Sequence, residues 1–275
     1  MLKDISIGRY YQTESVLHSL DPRFKTILFV AFMVAIFMLE TPVAIGALIV
    51  FTIILQIMGK IPPKVMWNTA KPIIPILIMI FVLNALTIHE GEELFKWYKI
   101  IITRGGLENA TLMSIRLLMM IFVTSIILTL TTTPLKLSEA LEKLFGPLKV
   151  IKFPVHEMAM MMSIALRFIP TLVDETDKIM KAQVSRGANY DTGSFLSRLK
   201  GYVTVLVPLF VSSFRRADEL ATAMDARCYN GGEGRTKLNP LKITGKDVIV
   251  FIVLCIGAGA LIAVEKMDAI IGLIN

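Results

Sequence analysis

Apolar residues along the chain are gathered into long runs that short polar segments separate. Four runs lie in the first half of the chain and one near its end, at residues 24–39, 43–58, 72–88, 117–133 and 248–264. A helix needs roughly 20 mostly apolar residues to cross the hydrocarbon core of a bilayer. The pattern therefore predicts an all-α, polytopic integral membrane protein with about five transmembrane helices.

The segment between the fourth and fifth runs, residues 134–247, has a different pattern. It carries 17 Lys and Arg against 12 Asp and Glu, mixed with apolar residues at helical spacing. Its two apolar stretches, residues 158–173 and 202–214, each contain a proline, and the second is only 13 residues long. Thirteen helical residues rise about 20 Å, which is short of the ~30 Å hydrocarbon core. We therefore expect long helices at or below the membrane surface, with apolar faces that pack on each other or on a partner.

Composition supports this division of the chain into three parts. Of the 275 residues, 55% are hydrophobic and 19% are charged, whereas soluble domains have about 45–50% apolar and ~25% charged residues. The predicted parts are an N-terminal transmembrane region at residues 1–133, a cytoplasmic helical region at 134–247 and a C-terminal transmembrane helix at 248–275.

Lys and Arg orient these parts, because cytoplasmic loops collect them. Residues 1–25 hold four Lys and Arg, and residues 59–71 hold three Lys and no acid. Residues 89–106 balance three acids against three bases, which fits the outer face. We therefore expect a cytoplasmic N-terminus and a C-terminus outside.

Arg116 directly precedes the fourth run. The pattern predicts that it lies at the outer end of this span, where its side chain can extend to the interface. A functional charge inside the membrane is the alternative.

Motifs typical of catalytic chains do not occur in the sequence. His156-Glu157 is followed by Met160 where a zinc site of the H-E-x-x-H type needs its second His. Gly245-Lys246 lacks the residues that complete a phosphate-binding P-loop, and no G-x-S-x-G nucleophile motif is present. Basic residues are spread along the helices with acids between them, which argues against nucleic acid as a partner. The sequence predicts a non-catalytic chain that binds no metal or cofactor itself.

Two short motifs with a central arginine close the long helices of the region 134–247. They are Ser185-Arg186-Gly187 and Ala226-Arg227-Cys228. Gly187 suits a left-handed cap for the first helix, and Gly231-Gly232 are predicted to stop the second. A cation at a helix C-terminus interacts favourably with the helix dipole, which is one explanation of both arginines. The other is that each arginine docks as a forked donor on acidic or carbonyl groups of a soluble partner.

Four segments of the chain resemble the T component of energy-coupling-factor transporters, and they occur in the expected order. They are residues 15–25 (SVLHSLDPRFK), 165–172 (ALRFIPTL), 182–187 (AQVSRG) and 215–221 (RRADELA), the last leading to Ala226-Arg227-Cys228. The resemblance implies a subunit of the bacterial cell membrane with helical coupling elements at the cytoplasmic face. Such a subunit joins two ABC-type ATPases, which bind ATP and Mg²⁺, to a small substrate-binding S component that takes up a vitamin or a transition-metal ion.

In that family two Ala-Arg-Gly-like motifs dock on the two ATPases, one each. By resemblance, Arg186 and Arg227 take these roles, with Ser185, Gly187, Ala226 and Cys228 beside them. Ser185 and Cys228 depart from the family pattern, and both replacements are small.

Methionines at one end of the first long helix offer a second candidate surface. Met158, Met161 and Met162 form part of a Met-rich patch, and methionine makes adaptable surfaces that accept different partners. An S-component interface is one interpretation, and a helix core filled with Met is the other.

Two other classes of function fit the sequence less well than the coupling role. An integral-membrane enzyme acting on lipid or peptide needs convergent Asp, His or Ser side chains in the spans, which supply almost none. An independent channel or carrier needs polar residues at the midplane or internal repeats, and neither is evident.

Overall fold

The computed structural model describes residues 10–11, 13–88, 92–97, 100–151, 153–188, 195–231 and 243–274. The chain divides into two compact units. The membrane unit comprises residues 8–140 and 241–275, and the arm unit is built from residues 141–240.

Helices form nearly all of the membrane unit. They are α1 (Val16–Ser19), α2 (Pro22–Phe37), α3 (Pro42–Met58), α4 (Pro63–Ala70), α5 (Ile74–Thr87), α6 (Arg104–Thr124), which continues as a π-helix (Ser125–Thr129), and α10 (Gly245–Ile274); α7 (Pro134–Leu144) runs across the unit boundary. The predicted all-α fold is confirmed, with one addition. Strands β1 (Glu93–Trp97) and β2 (Ile100–Thr103) pair as an antiparallel hairpin in the predicted outer loop.

Local chemistry explains where α2 and α3 begin. The Asp21 side chain accepts a hydrogen bond from the Arg23 N–H at 2.8 Å, and Pro22 occupies the first turn of α2. Thr41 and Pro42 start α3 in the same way. Glu265 of α10 also accepts hydrogen bonds from the Glu40 and Thr41 N–H groups, each at 3.1 Å. The carboxylate of one helix thus caps the N-terminus of another.

The core of the membrane unit lies between α2, α3, the π-helix and α10. Leu28, Phe32, Leu48 and Ile126 are fully buried there. Gly257 lets α10 approach α3, because a Cβ at this position would lie 2.7 Å from Phe51 Cε2.

Lys25 is a buried polar side chain at the start of α2. Its Nζ donates to the Thr131 carbonyl at 2.8 Å and to the His18 carbonyl at 3.4 Å. Because a buried amino group needs hydrogen-bond partners, these bonds fix α2 to the segment that follows the π-helix.

Two helices of the described chain are long and apolar enough to cross a membrane, Arg104–Thr129 and Gly245–Asp268. A third crossing results if α4 and α5, which meet at a 60° bend, form one broken span. Helices α2 and α3 have 16 and 17 residues and rise only about 24–26 Å. Five crossings therefore stay a prediction.

Helix α6 begins at Arg104, thirteen residues before the predicted start of the fourth span. Thr103 caps it by accepting a hydrogen bond from the Gly106 N–H at 3.2 Å. Arg116 consequently lies in the middle of the helix, and its place at the outer end of a span stays a prediction. Its Nε is buried and has no hydrogen-bond partner among the described residues.

The arm unit holds two helices of 31 residues each, α8 (Val155–Ser185) and α9 (Phe195–Asp225), which pack against each other. A 3₁₀ segment, Gly146–Ile151, precedes α8. Neither long helix is among the membrane-span candidates of the described chain, which agrees with the prediction for this region. His156 of α8 lies with its Nδ1 3.1 Å from Glu142 Oε1, within hydrogen-bond distance.

Candidate docking site at the helix ends

The C-terminus of α8 closes with two backbone hydrogen bonds. The Gly187 N–H donates to the Val184 carbonyl at 2.9 Å, and the Ala188 N–H donates to the Gln183 carbonyl at 3.0 Å. Gly187 has φ +88°, as predicted from its position. This pair of bonds with a left-handed residue is the Schellman motif.

The C-terminus of α9 closes with the same two bonds. The Cys228 N–H donates to the Asp225 carbonyl at 2.9 Å, and the Tyr229 N–H donates to the Met224 carbonyl at 3.1 Å. Cys228 holds the left-handed position with φ +55°, so the expectation that Gly231-Gly232 stop this helix is wrong. A side chain in this conformation costs roughly 1 kcal/mol compared with glycine.

Arg186 and Arg227 therefore occupy the same structural position at the ends of two equally long helices. Each lies between the last helical turn and the left-handed residue of a Schellman motif. Both side chains are exposed, and within the described part of the chain neither forms a hydrogen bond or an ion pair. Two guanidinium groups are thus presented outward, each on a rigid support.

The four flanking residues are exposed as well. These are Ser185, Gly187, Ala226 and Cys228. The Ser185 hydroxyl donates to the Lys181 carbonyl at 3.1 Å, so its donor is used within α8. The arginines remain the strongest directional donors at each tip.

A polar cluster between α8 and α9, which we call the clamp, was not found by sequence reasoning. Glu175 of α8 accepts hydrogen bonds at Oε2 from Arg216 Nε at 3.1 Å and from Nη2 at 2.9 Å. The Ser212 hydroxyl of α9 donates to the other carboxylate oxygen. Three donors on one carboxylate join the two helices with charge-assisted bonds.

The clamp holds Glu175 in its ionised form. The hydrogen bond from Ser212 lowers the pKa of the Glu175 carboxyl, and the nearby charges of Arg216 and Lys178 lower it further. Desolvation opposes these effects without reversing them.

The clamp lies at equal distances from the two tips. Glu175 precedes Arg186 by eleven residues (186 − 175), and Arg216 precedes Arg227 by eleven residues (227 − 216). Eleven residues of helix rise about 16 Å. An acid thus precedes one tip arginine by the same number of residues as a base precedes the other. This equal spacing is a sequence signal that could have predicted the pairing of Glu175 with Arg216.

Apolar side chains are exposed along both arms. Met158, Met161 and Met162 are 48%, 57% and 52% exposed, so the alternative that they fill a helix core is wrong for these three. On α9, Phe210 and Phe214 are exposed and stack with their ring centroids 6.5 Å apart. These faces are available to a partner or to lipid.

Comparison with known proteins places these features in a family context. The sequence matches the CbiQ family, described as cobalt transport protein, over residues 13–238. A relative from Ruminiclostridium cellulolyticum is 50% identical over 250 residues, which cover 91% of this chain and 93% of the relative. Relatives from Bacillus subtilis and Heliobacterium modesticaldum are 44% and 45% identical over 261 and 272 residues, with 95% of this chain and 98% and 100% of the relatives covered. All three carry the name energy-coupling factor transporter transmembrane protein EcfT.

Proposed function

The chain belongs to the family of energy-coupling factor transporter transmembrane proteins, and we propose that it couples two ABC-type ATPases to a membrane-embedded S component. It is a membrane transport subunit. In this proposal the two ATPases would bind ATP and Mg²⁺. The complex would import a micronutrient, which is either a vitamin or a transition-metal ion. The chain itself would perform no catalysis.

The observation that carries this proposal is the pair of matching helix ends. A soluble ATPase pair that closes on ATP moves two docking points, so a subunit that follows it needs two firm contacts. Arg186 and Arg227 provide two exposed guanidinium groups in the same cap geometry, neither of them paired with another described residue. We assign one ATPase to each, with a carboxylate or a row of carbonyl groups as the acceptor.

The clamp supports transmission of that movement. A helix end is useful as a lever only when the helix is held against something farther back. Glu175 and Arg216 hold α8 and α9 together three helical turns behind the tips. Movement of one tip would then change the position of the other.

The experiment is a detergent co-purification of the tagged chain with the ATPases and small membrane proteins of its own cell. Wild type should retain two ATPases. The double variant Arg186→Glu/Arg227→Glu should lose both, because reversing a charge-assisted contact leaves repulsion where attraction was. Each single variant should lose one of the two.

The matched control is Arg167→Glu/Arg198→Glu, which reverses one exposed arginine on each arm away from the tips. This control should retain both ATPases. Full retention in the Arg186→Glu/Arg227→Glu variant would remove the tips from the mechanism. Absence of ATPases from folded wild type would end the transporter proposal.

We assign the exposed methionines to the S component. Replacing Met161 and Met162 with Lys should reduce capture of the small membrane protein in the same experiment, because two charges would enter an apolar contact. ATPase retention should not change. Unchanged capture of the small membrane protein would exclude this face as its binding surface.

A further inference from the structure

A cavity of about 710 Å³ opens into the membrane unit beside the N-terminal segment. Residues from three places form it: the segment around α1, the end of α3 and the start of α10. The coupling role does not use it, since none of the arm residues contribute.

Two lysines supply the uncompensated donors of this cavity. Lys60 follows the end of α3, and Lys246 lies in the first turn of α10. Both are exposed, and within the described ranges neither ammonium group forms a hydrogen bond or an ion pair. Both ammonium groups can therefore donate hydrogen bonds to a bound anion.

The remaining polar groups of the cavity are mostly engaged. Ser15 Oγ lies 2.7 Å from His18 Nδ1, while His18 Nε2 lies 2.8 Å from the Tyr11 carbonyl oxygen. Burial lowers the pKa of His18, which keeps its ring neutral near pH 7. Asp247 Oδ2 accepts a hydrogen bond from the Thr244 N–H at 2.9 Å, so this acid serves as a helix cap. Glu14 is the other acid of the lining, and it is exposed.

Lys60 has an unusual backbone. Its φ is +50°, the left-handed conformation that a residue with a long side chain adopts only at a cost. The Lys60 N–H donates to the Ile57 carbonyl at 3.0 Å, and the Ile61 N–H donates to the Gln56 carbonyl at 3.2 Å. The end of α3 is thus a third Schellman motif, and it puts a lysine at the cavity where a glycine would be less strained.

The walls of the cavity combine charge with apolar surface. Met58 and Val250 belong to the ends of apolar helices, and Val16 of α1 lies beside them. Cations at the ends of apolar helices lie at the depth of lipid headgroups. A ligand with a phosphate and an adjoining hydrocarbon part matches both kinds of wall.

We propose that this cavity binds the headgroup of a membrane phospholipid, with Lys60 and Lys246 on the phosphate and Met58 and Val250 against the glycerol and first methylene groups. The shared chemistry is a phosphate group. Free phosphate could supply that group as well, but it would leave the apolar walls unused.

The test uses the full chain, delipidated in detergent and titrated with phosphatidylethanolamine or phosphatidylglycerol, with bound lipid measured by native mass spectrometry. Wild type should retain one phospholipid. Lys60→Gln/Lys246→Gln should bind it roughly tenfold more weakly, because two charge-assisted contacts are removed. The control Lys64→Gln/Lys71→Gln removes two exposed lysines outside the cavity lining and should bind like wild type.

A further variant separates this effect from misfolding. Glu14→Gln removes an acid from the lining and should tighten binding of phosphatidylglycerol, a gain that an unfolded protein cannot show. Equal binding by the two double lysine variants, or weaker binding by Glu14→Gln, would overturn the proposal. Displacement of the lipid by an equal concentration of inorganic phosphate would identify free phosphate as the ligand and overturn the lipid assignment.

Discussion

The two units differ most in where their large apolar side chains lie. The membrane unit buries Leu28, Phe32 and Leu48 completely, at 0% exposure. In the described residues of the arm unit, the buried apolar side chains are Val155 and Val205 alone. The arm unit is instead joined by the clamp and leaves several aromatic and methionine side chains exposed, among them Met161, Phe210 and Phe214. One unit is stabilised by its own core, while the other would, under the proposed function, have its exposed apolar surface covered by partners.

Truncation of one phenylalanine in each unit should give the largest difference in the free energy of unfolding. Phe32→Ala removes a fully buried ring and should lower the free energy of unfolding by about 3–5 kcal/mol. Phe210 is 59% exposed, and Phe210→Ala should change it by less than about 0.5 kcal/mol. Thermal unfolding of the two variants in one detergent measures both values. Similar losses of stability would break the distinction between the units.

Loss of the clamp should have an intermediate effect. Arg216→Gln leaves the partly exposed Glu175 carboxylate with one fewer charged partner and should cost about 0.5–1.5 kcal/mol. Both ATPases should still be retained, because the tips are intact, while substrate uptake driven by ATP should fall. Glu219→Gln, which changes an exposed acid of α9, is the matched control. Normal uptake by Arg216→Gln in reconstituted complexes would show that the clamp is only structural.

The clamp also gives a pH dependence with a definite sign. The folded-state pKa of Glu175 lies below its ordinary value of 4.5. A lowered pKa contributes stability that is complete above pH 4.5 and is lost as the pH falls through the folded value. Thermal stability of wild type should therefore decrease below pH 4.5 more than that of Glu175→Gln. Parallel pH curves for the two proteins would contradict this assignment.

The smallest expected effect compares the two tips. Cys228→Gly relieves the left-handed strain at the end of α9 and should stabilise it by about 0.5–1 kcal/mol. Gly187→Ala introduces the same strain at the end of α8 and should destabilise it by a similar amount. Hydrogen exchange at the last turn of each helix measures both changes. ATPase retention should be unaffected by Cys228→Gly.

Sequence patterns predicted the parts of this fold that depend on local chemistry. The lengths of α8 and α9 follow from helical periodicity, and the cap of α8 follows from Gly187 after the last turn. The end of α9 was placed too late, because glycine is the usual left-handed residue and Cys228 gives no such signal. The backbone hydrogen bonds of the Schellman motif determine which residue adopts the left-handed conformation, and residue propensities alone do not predict those bonds.

The remaining differences come from contacts between distant residues. The apolar run predicted the fourth helix without its first three turns, because polar residues lie between Arg104 and Arg116. Hydropathy indicates contact with lipid and does not indicate where a helix begins. Glu175 and Arg216 are 41 residues apart, and only the crossing of two helices brings them together. The cavity likewise combines three separate segments, so no single stretch of sequence reveals it.

Because the clamp is equally far from Arg186 and Arg227, the ends of α8 and α9 beyond it are two levers of equal length. With arms of about 16 Å, each degree by which an arm rotates about the clamp moves its tip by about 0.3 Å along its arc. A rotation of ten degrees in each arm would carry both tips through about 3 Å, roughly the length of one hydrogen bond. Two ATPases that close symmetrically would therefore displace the two tips by equal distances, and neither ATPase would have to move before the other.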